Sequence, residues 1–421
     1  MAFKQTLSEL VSDDMKLNIK KALAIGRNQR MLGRMRQILP YQQGKYPIGV
    51  NLIGDITAET GLGQSMRILA SVMAKGNIPF AIRQVDTHGQ LEHNESAWGE
   101  RMADSLPYAV NLIHFIPATW AADYCRLDRQ ILDGRYNIAY WLWELEIFPK
   151  YWKPCIETVD EIWTPSEFIS NCIRKETGKT VLTVPYAMDA ETAGIQIGEG
   201  IYGRAHFGLP EHKFLFLMMY DFISTNERKN PKAVIEAYQK AFPREEEKVG
   251  LIIKVNHADA KKLQQIADEL KNYRNVYFFQ ENLTRQEVGA LLNAADVLVS
   301  LHRSEGFGLG VAEAMALGKP VITTDWSATT EFTSGECACP VKYRMTRLEK
   351  SVGPYEKGNC WADADTDHAA AYMKRLVEDK EYYERIGKNA KKRIEHQLSY
   401  GNAAEIMKDR LKKIYEKDST G

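Results

Sequence analysis

The sequence predicts an α/β protein built from two doubly wound, mainly parallel sheets. Three features carry this expectation: the length of the chain, two series of strand-like apolar runs alternating with helical stretches, and an aperiodic segment between the series. At 421 residues the chain exceeds one typical hydrophobic core, given roughly 100 to 200 residues per domain. Strands that alternate with helices need crossover connections, and such crossovers make parallel sheets. From Pro185 to about Gly203, several glycines and little periodicity mark the connection between the two series.

Taken in order, residues 1–45 form a basic, helical segment ahead of the first strand. Lys4, Lys16, Lys20, Lys21, Arg27, Arg30, Arg34 and Arg36 stand there against Glu9, Asp13 and Asp14. Met31, Leu32, Met35, Ile38 and Leu39 follow helical spacing, with the arginines mostly elsewhere on the wheel. That pattern suits either a surface helix on anionic lipid or a solvated helix packed on the domain. The first series, over residues 46–190, reads PIGVNLIG, IPFAIRQ, YAVNLIHF, YNIAYWLW, DEIWTP and KTVLTVP as strands, with a helix from about Leu62. The second, over 191–385, reads KFLFLMMYD, VGLIIKVN, NVYFFQ, ADVLVSLH and PVITTD as strands, with helices such as PKAVIEAYQKAF between them. The end of the chain, from roughly Lys380, is charged and helical.

Composition excludes some functions. Lysine plus arginine equals aspartate plus glutamate at 55 each, so no global positive field marks a nucleic-acid binder. Six scattered cysteines show no CxxC pairs, which leaves neither a zinc pattern nor a secreted disulfide framework and fits a reducing cytosol. No apolar run reaches the roughly 18 residues that span a bilayer, and no signal-like core opens the chain. A cytoplasmic protein, peripheral at most on the inner face of a membrane, is expected.

The most informative stretch is EGFGLGVAEAMALGKPVI, where Glu305 and Glu313 flank a glycine-rich turn. ADVLVSLH before it reads as a buried strand, and AEAMALG as a helix stopped by Gly318. Gly306, Gly308 and Gly310 remove side chains that would keep a ligand from the backbone, so amides at the helix start can face an anion such as a diphosphate. At about 3.6 residues per turn, the two carboxylates lie roughly two turns apart and can address one extended ligand.

These residues closely resemble the motif of the retaining nucleotide-sugar glycosyltransferases of family 4, formerly called group 1. RYNIAYWLWELE, DEIWTPSEFI, DFISTNERKNPKAVIEAY and TTDWSATTEF also look like stretches of that family, so the similarity runs from about Tyr46 to Asp379. The resemblance implies the GT-B fold: an acceptor domain (46–190) and a nucleotide-sugar domain (191–385), Rossmann-like, facing across a cleft, with 386–421 crossing back onto the first domain. It implies a UDP- or GDP-linked sugar donor without any further cofactor, a glycan or glycolipid acceptor, and a role in cell-surface polysaccharide or glycolipid synthesis. Glu305 stands where the family contacts the transferred sugar and Glu313 where it binds the ribose, with Gly306, Phe307, Gly308, Leu309 and Gly310 between them.

Other candidates follow. In DFISTNERKN, Arg228 and Lys229 offer fixed positive charge for a departing diphosphate. The family usually has an arginine five or six positions before the lysine; Ile223 and Ser224 occupy those places, so Arg228 stands in. Lys254, ending the strand LIIK, is a further cation of the same type. Gly61 and Gly63 in ETGLGQ serve either the diphosphate or acceptor, or chain reversal alone. His114 ends YAVNLIH, at the rim where sheet ligands bind; it either contacts the donor sugar, as the family's histidine there commonly does, or is structural. Trp141, Trp143, Glu144 and Glu146 suit either acceptor recognition or packing. Thr329, Thr330 and Glu331 form a secondary donor-side loop. Asp363 and Asp365 resemble a metal-binding pair but read better as negative charges opening a helix, and no required metal is expected. Two rival readings use the same cleft: a nucleotide-sugar epimerase and a non-catalytic sugar-nucleotide binding subunit.

Overall fold

A computed structural model describes residues 12–86, 98–194, 202–222, 224–243, 247–257 and 259–416. Ile223 and the first eleven residues, Lys4 and Glu9 among them, lie outside this description. The chain divides into two compact units, one made of residues 1–187, 348–359 and 400–421, the other of 188–347 and 360–399.

The first unit is organised by a parallel sheet of six strands: β1 (Val50–Gly54), β2 (Phe80–Gln84), β3 (Val110–Ile113), β4 (Tyr136–Tyr140), β5 (Glu161–Thr164) and β6 (Val181–Thr183). Their order is β2-β1-β3-β4-β5-β6. β1, β3, β4 and β5 are buried throughout, which is why they read as continuous apolar runs rather than alternating ones. Among the polar exceptions, Asn51, Asn111 and Asn137 sit in register on β1, β3 and β4 and pair with each other. Asn51 Nδ2 donates to Asn111 Oδ1 at 2.9 Å and Asn111 Nδ2 to Asn137 Oδ1 at 2.8 Å. Strand order reverses between β1 and β3, and ligands of open parallel sheets bind at such a switch point.

The N-terminal helix runs from Asp13 to Met35, capped by Ser12, and packs by Leu17, Asn28 and Met31. The apolar stripe expected at Met31, Leu32 and Met35 is therefore the docked side, and Ile38 and Leu39 fall beyond the helix. What faces outward instead is Met15 (55% exposed), Ile19 (52%) and Leu23 (54%). Residues 348–359, read as part of the second domain, belong to this unit: Lys21 pairs with Glu356 at 2.7 Å, and Ser351 N donates to Asp14 at 3.0 Å.

The second unit repeats the plan with β7 (Phe214–Asp221), β8 (Val249–Asn256), β9 (Val276–Phe279), β10 (Val297–Ser300), β11 (Val321–Thr324) and β12 (Cys339–Val341), ordered β12-β11-β10-β7-β8-β9. The switch falls between β7 and β10. Phe216, Met218, Leu251, Ile253, Val297 and Val299 pack with Val234, Tyr238 and Met373 of the covering helices into one core. The return to the first unit was expected near residue 386, yet helix Lys380–Gln397 remains whole in the second unit and only Tyr400–Tyr415 returns. Close packing explains it: a Cβ on Gly387 would lie 2.3 Å from Gly318 O. The architecture is α/β of the GT-B class.

Candidate functional site

At the switch of the second sheet, the loop after β7 carries Arg228 and Lys229, and the loop after β10 carries Glu305. Sequence folds both loops by local rules. Asn230 adopts a left-handed φ of 53°, which asparagine tolerates, and its side chain donates to Leu301 O at 3.0 Å, tying one loop to the other. Arg303 adds a second tie: its backbone N donates to Arg228 O at 2.7 Å, its Nη1 to Glu227 O at 2.6 Å, and its guanidinium pairs with Asp363 at 2.8 Å. On the far side Ser327, at φ 66°, accepts from Glu305 N at 2.9 Å.

The result is a carboxylate between two cations. Lys229 Nζ lies 2.5 Å and Arg228 Nη1 3.0 Å from the same atom, Glu305 Oε1. Oε2 accepts no hydrogen bond from a described residue. Burial works to raise the Glu305 pKa, but the opposing Arg228 and Lys229 charges prevail and hold it down at about 2. Glu305 is thus ionised at any physiological pH. The two cations differ in access: the Arg228 side chain is 5% exposed, that of Lys229 24%. Arg228 also donates to Ser304 O at 2.8 Å, so it holds the turn, whereas Lys229 keeps a face toward solvent. His302, fully buried beneath, sits between Ser300 Oγ (3.0 Å) and Thr329 Oγ1 (3.4 Å), and burial drives its pKa down to about 4. It is a neutral support.

Helix Leu309–Ala316 begins directly after this turn with Gly308 at φ 91° and no side-chain cap. A Cβ on Gly308 would meet Thr329 Cγ2 at 2.4 Å; one on Gly310 would meet only Met219 at 3.6 Å. The amides of Leu309 and Gly310 bond to no described residue. Phe307 is buried against Phe332. Glu313 is buried one face along the helix, its Oε1 accepting from Arg285 Nη2 at 2.6 Å. Amides left open at a helix start are donors of the kind that anions take.

The remaining candidates separate. Lys254 is 1% exposed, with Nζ bonded to Val255 O and Asn256 Oδ1 and its pKa lowered by burial to about 8; it offers no accessible ammonium. Thr329 is buried under His302, Thr330 Oγ1 donates to Ser327 O, and Glu331 O accepts from Gln397. Asp365 caps helix Thr366–Glu378 through the Asp367 and His368 amides, both at 3.0 Å, and Asp363 is taken by Arg303.

In the first unit, His114 follows β3 at the switch. Its Nε2 bonds Ser65 Oγ at 2.6 Å, Ser65 bonds Tyr186 OH at 2.5 Å, and the ring stacks on Tyr140. Gly63 is required by packing, since a Cβ would fall 1.9 Å from Ala58 O, while Gly61 faces open space. Trp141 and Trp143 are packing residues: Trp141 meets Trp120 edge-on and Phe148 face-on, and Trp143 packs on Trp152 and Tyr355. Glu144 accepts from Tyr355 OH at 3.3 Å and Glu146 is exposed. Sequence reasoning missed His302 and Arg303, which stand just before Glu305 in the chain, and Ser327 and Arg285, which reach Glu305 and Glu313 by chain return.

Comparison with known proteins places this geometry. Over 124 residues the chain is 30% identical to the MMP α-(1→4)-mannosyltransferase of Mycolicibacterium hassiacum, a stretch that is 29% of this chain and 25% of that enzyme. The chain therefore spans about a quarter of the length of the curated relative it matches. Among solved structures, sucrose-phosphate synthase from Thermosynechococcus elongatus superposes with a TM-score of 0.64 at 15% identity, over 88% of this chain and all (100%) of that one. HepE of Anabaena, in complex with UDP and glucose, gives 0.61 at 13% identity, over 87% and 100%. A glycosyltransferase from Rickettsia africae gives 0.62 at 11%, over 89% and 100%. These likenesses establish the fold, and within it residues 204–334, which hold Arg228, Lys229, Arg285, Glu305 and Glu313, match the family model of the glycosyl transferases group 1.

Proposed function

We propose that this protein is a glycosyltransferase that passes a sugar from a nucleoside diphosphate sugar to an acceptor hydroxyl with retention of configuration. The observation that carries this reading is Glu305, held ionised by Arg228 and Lys229 beside the uncapped glycine start of helix Leu309–Ala316. Support comes from the match to the group 1 transferases over that region, from a mannosyltransferase relative, and from the UDP and glucose bound to a protein of the same fold.

In this reading, Glu305 Oε2 accepts a sugar hydroxyl. The Leu309 and Gly310 amides and the accessible Lys229 ammonium take the diphosphate, stabilising charge as it develops on the leaving group. Arg228 acts through Glu305. As the bond from the anomeric carbon to phosphate oxygen breaks, the acceptor oxygen bonds the same face of that carbon and its proton passes to the departing phosphate. A double displacement would need a carboxylate nucleophile roughly 5 Å from an acid partner, and the cluster around Glu305 is cationic instead. UDP- or GDP-linked donors, a glycan or glycolipid acceptor, and action without a metal complete the proposal. The rivals remain an epimerase or a non-catalytic binding subunit.

The test is a panel of UDP- and GDP-sugars, scored for nucleoside diphosphate release with and without glycan and glycolipid acceptors, in EDTA and in added magnesium. Acceptor-dependent release, indifferent to EDTA, is expected. Isomerised donor without acceptor would establish the epimerase, and tight donor binding with no turnover the subunit.

We also propose peripheral contact with the cytoplasmic face of an anionic membrane. It would use Met15, Ile19 and Leu23, which lie one helical turn apart, flanked by Lys16, Lys20, Arg27 and Arg30. Co-sedimentation with vesicles containing phosphatidylglycerol, lost in Ile19→Glu, is the expected result; equal binding to neutral vesicles would overturn it.

A further inference from the structure

We propose that Arg285 is the positioning residue that sets Glu313 for the ribose of the nucleotide, and so determines the preference for ribose over deoxyribose. The proposal rests on the nucleotide-sugar reading above and adds to it a residue outside the glycine motif.

Arg285 opens helix Arg285–Ala294, and the opening is fixed from several directions. Thr284 and Glu287 form a reciprocal capping box, which satisfies amides of the first turn. Two glycines bring the neighbouring chain into contact: a Cβ on Gly194 would lie 2.4 Å from Arg285 O, and one on Gly289 2.4 Å from Ala193 O. Gly194 has φ 95°, a conformation that suits glycine. The Cα of Arg285 is thus held by a backbone approach that side chains would prevent.

From that anchored start the guanidinium spends one nitrogen on two acceptors. Nη2 donates to Glu313 Oε1 at 2.6 Å and to Thr192 O at 2.7 Å. The Glu313 side chain is 5% exposed, and a carboxylate so enclosed needs a hydrogen-bonded partner. Arg285 supplies it. With Oε1 engaged, Oε2 accepts from no described residue, which leaves one acceptor at a defined place. A carboxylate oxygen of this kind accepts a hydrogen bond from one ribose hydroxyl, and the deoxy sugar that lacks that hydroxyl has none to donate there. Sites built to pair a hydroxyl discriminate strongly against its absence, because the site is left unpaired.

The experiment measures binding of UDP and GDP, and of the 2′-deoxy and 3′-deoxy form of each, to the full chain and to Glu313→Gln, Arg285→Met, Arg285→Lys and the Glu313→Gln/Arg285→Met double variant. The native protein should prefer the ribonucleotide over one deoxy form by about tenfold or more, the usual worth of a hydrogen bond to a charged group. In Arg285→Met that ratio should fall to within about twofold of the Glu313→Gln value, with affinity for the deoxy form little changed. The double variant should lose nothing further, and Arg285→Lys should keep part of the ratio. A native ratio in Arg285→Met overturns the assignment. So does an equal loss for ribo and deoxy forms, which is what a merely structural arginine would give; melting curves of each variant show that the fold persists. Native protein that binds neither UDP nor GDP overturns the nucleotide-sugar reading itself, a distinct outcome.

Discussion

Gly61-Leu62-Gly63 and Gly308-Leu309-Gly310 are the same tripeptide, each opening a helix beside the switch point of a parallel sheet. They are used differently. In the first unit Thr60 caps the helix, its Oγ1 accepting from Gly63 N at 3.2 Å, and Gly63 is glycine because Ala58 O leaves no room for a Cβ. In the second unit no side chain caps the helix, Gly308 takes a left-handed φ, and a carboxylate with two cations precedes the turn. A cap occupies the donors that an anion would need. Glycine spacing alone therefore does not distinguish a ligand turn from a packing turn; the capping residue does.

The division is tested hardest at the charge. Glu305→Gln keeps the shape and removes the anion, so donor turnover should fall by about 10²- to 10³-fold, read as nucleoside diphosphate release with circular dichroism unchanged. Turnover within a few fold of native would refute the assignment. Acid should expose the same cluster. The His302 pKa is lowered to about 4 and that of Glu305 to about 2; in both, the folded state binds fewer protons than the unfolded chain. Their stabilising contributions are full above the ordinary values of 6.5 and 4.5 and are lost as pH falls through about 4 and about 2, respectively. Melting temperature followed from pH 8 downward should decline in two stages, with the upper stage missing in His302→Asn. One stage shared by both proteins would refute the role of His302.

Next in size are the glycines themselves. Gly63→Ala forces a backbone contact and Gly308→Ala adds a clash to an unfavourable φ, so each should cost roughly 1 to 3 kcal/mol in denaturant unfolding. Gly310→Ala meets only ordinary contact. It should fold normally and yet weaken UDP binding, because its Cβ stands where the diphosphate must approach. An unweakened Gly310→Ala would mean that the diphosphate lies elsewhere.

Much of the fold was legible because strands buried on both faces leave unbroken apolar runs; every run read as a strand from PIGVNLIG to PVITTD became one. β12 was missed because Pro340 interrupts its run, CPV, and proline argues against a strand in sequence. The hairpin Tyr343–Arg347 with Cys360–Ala364 escaped because its first strand is mostly exposed, so the alternating Tyr343 and Met345 mark no core face. At the site, Glu305, Gly308 and Glu313 were legible because turn and helix are contiguous in sequence. Ser327, 22 positions from Glu305, and Arg285, 28 from Glu313, were not, since a contact made by chain return has no local pattern. The indoles of Trp141 and Trp143 fit two readings in sequence, and only their aromatic neighbours decide for packing.

The smallest expected effect is the most discriminating for the comparison. Thr60→Ala removes the acceptor for Gly63 N, and loss of such a cap costs about 1 kcal/mol. The same change frees an amide at the start of helix Gly61–Lys75, making that turn resemble the uncapped one of the second unit. If the donor diphosphate is held by the second unit alone, Thr60→Ala should lower stability and leave UDP affinity within about twofold of native. Should affinity shift further in either direction, the capped turn also belongs to the donor site, and Gly61, open to solvent, would be the residue through which the ligand reaches it.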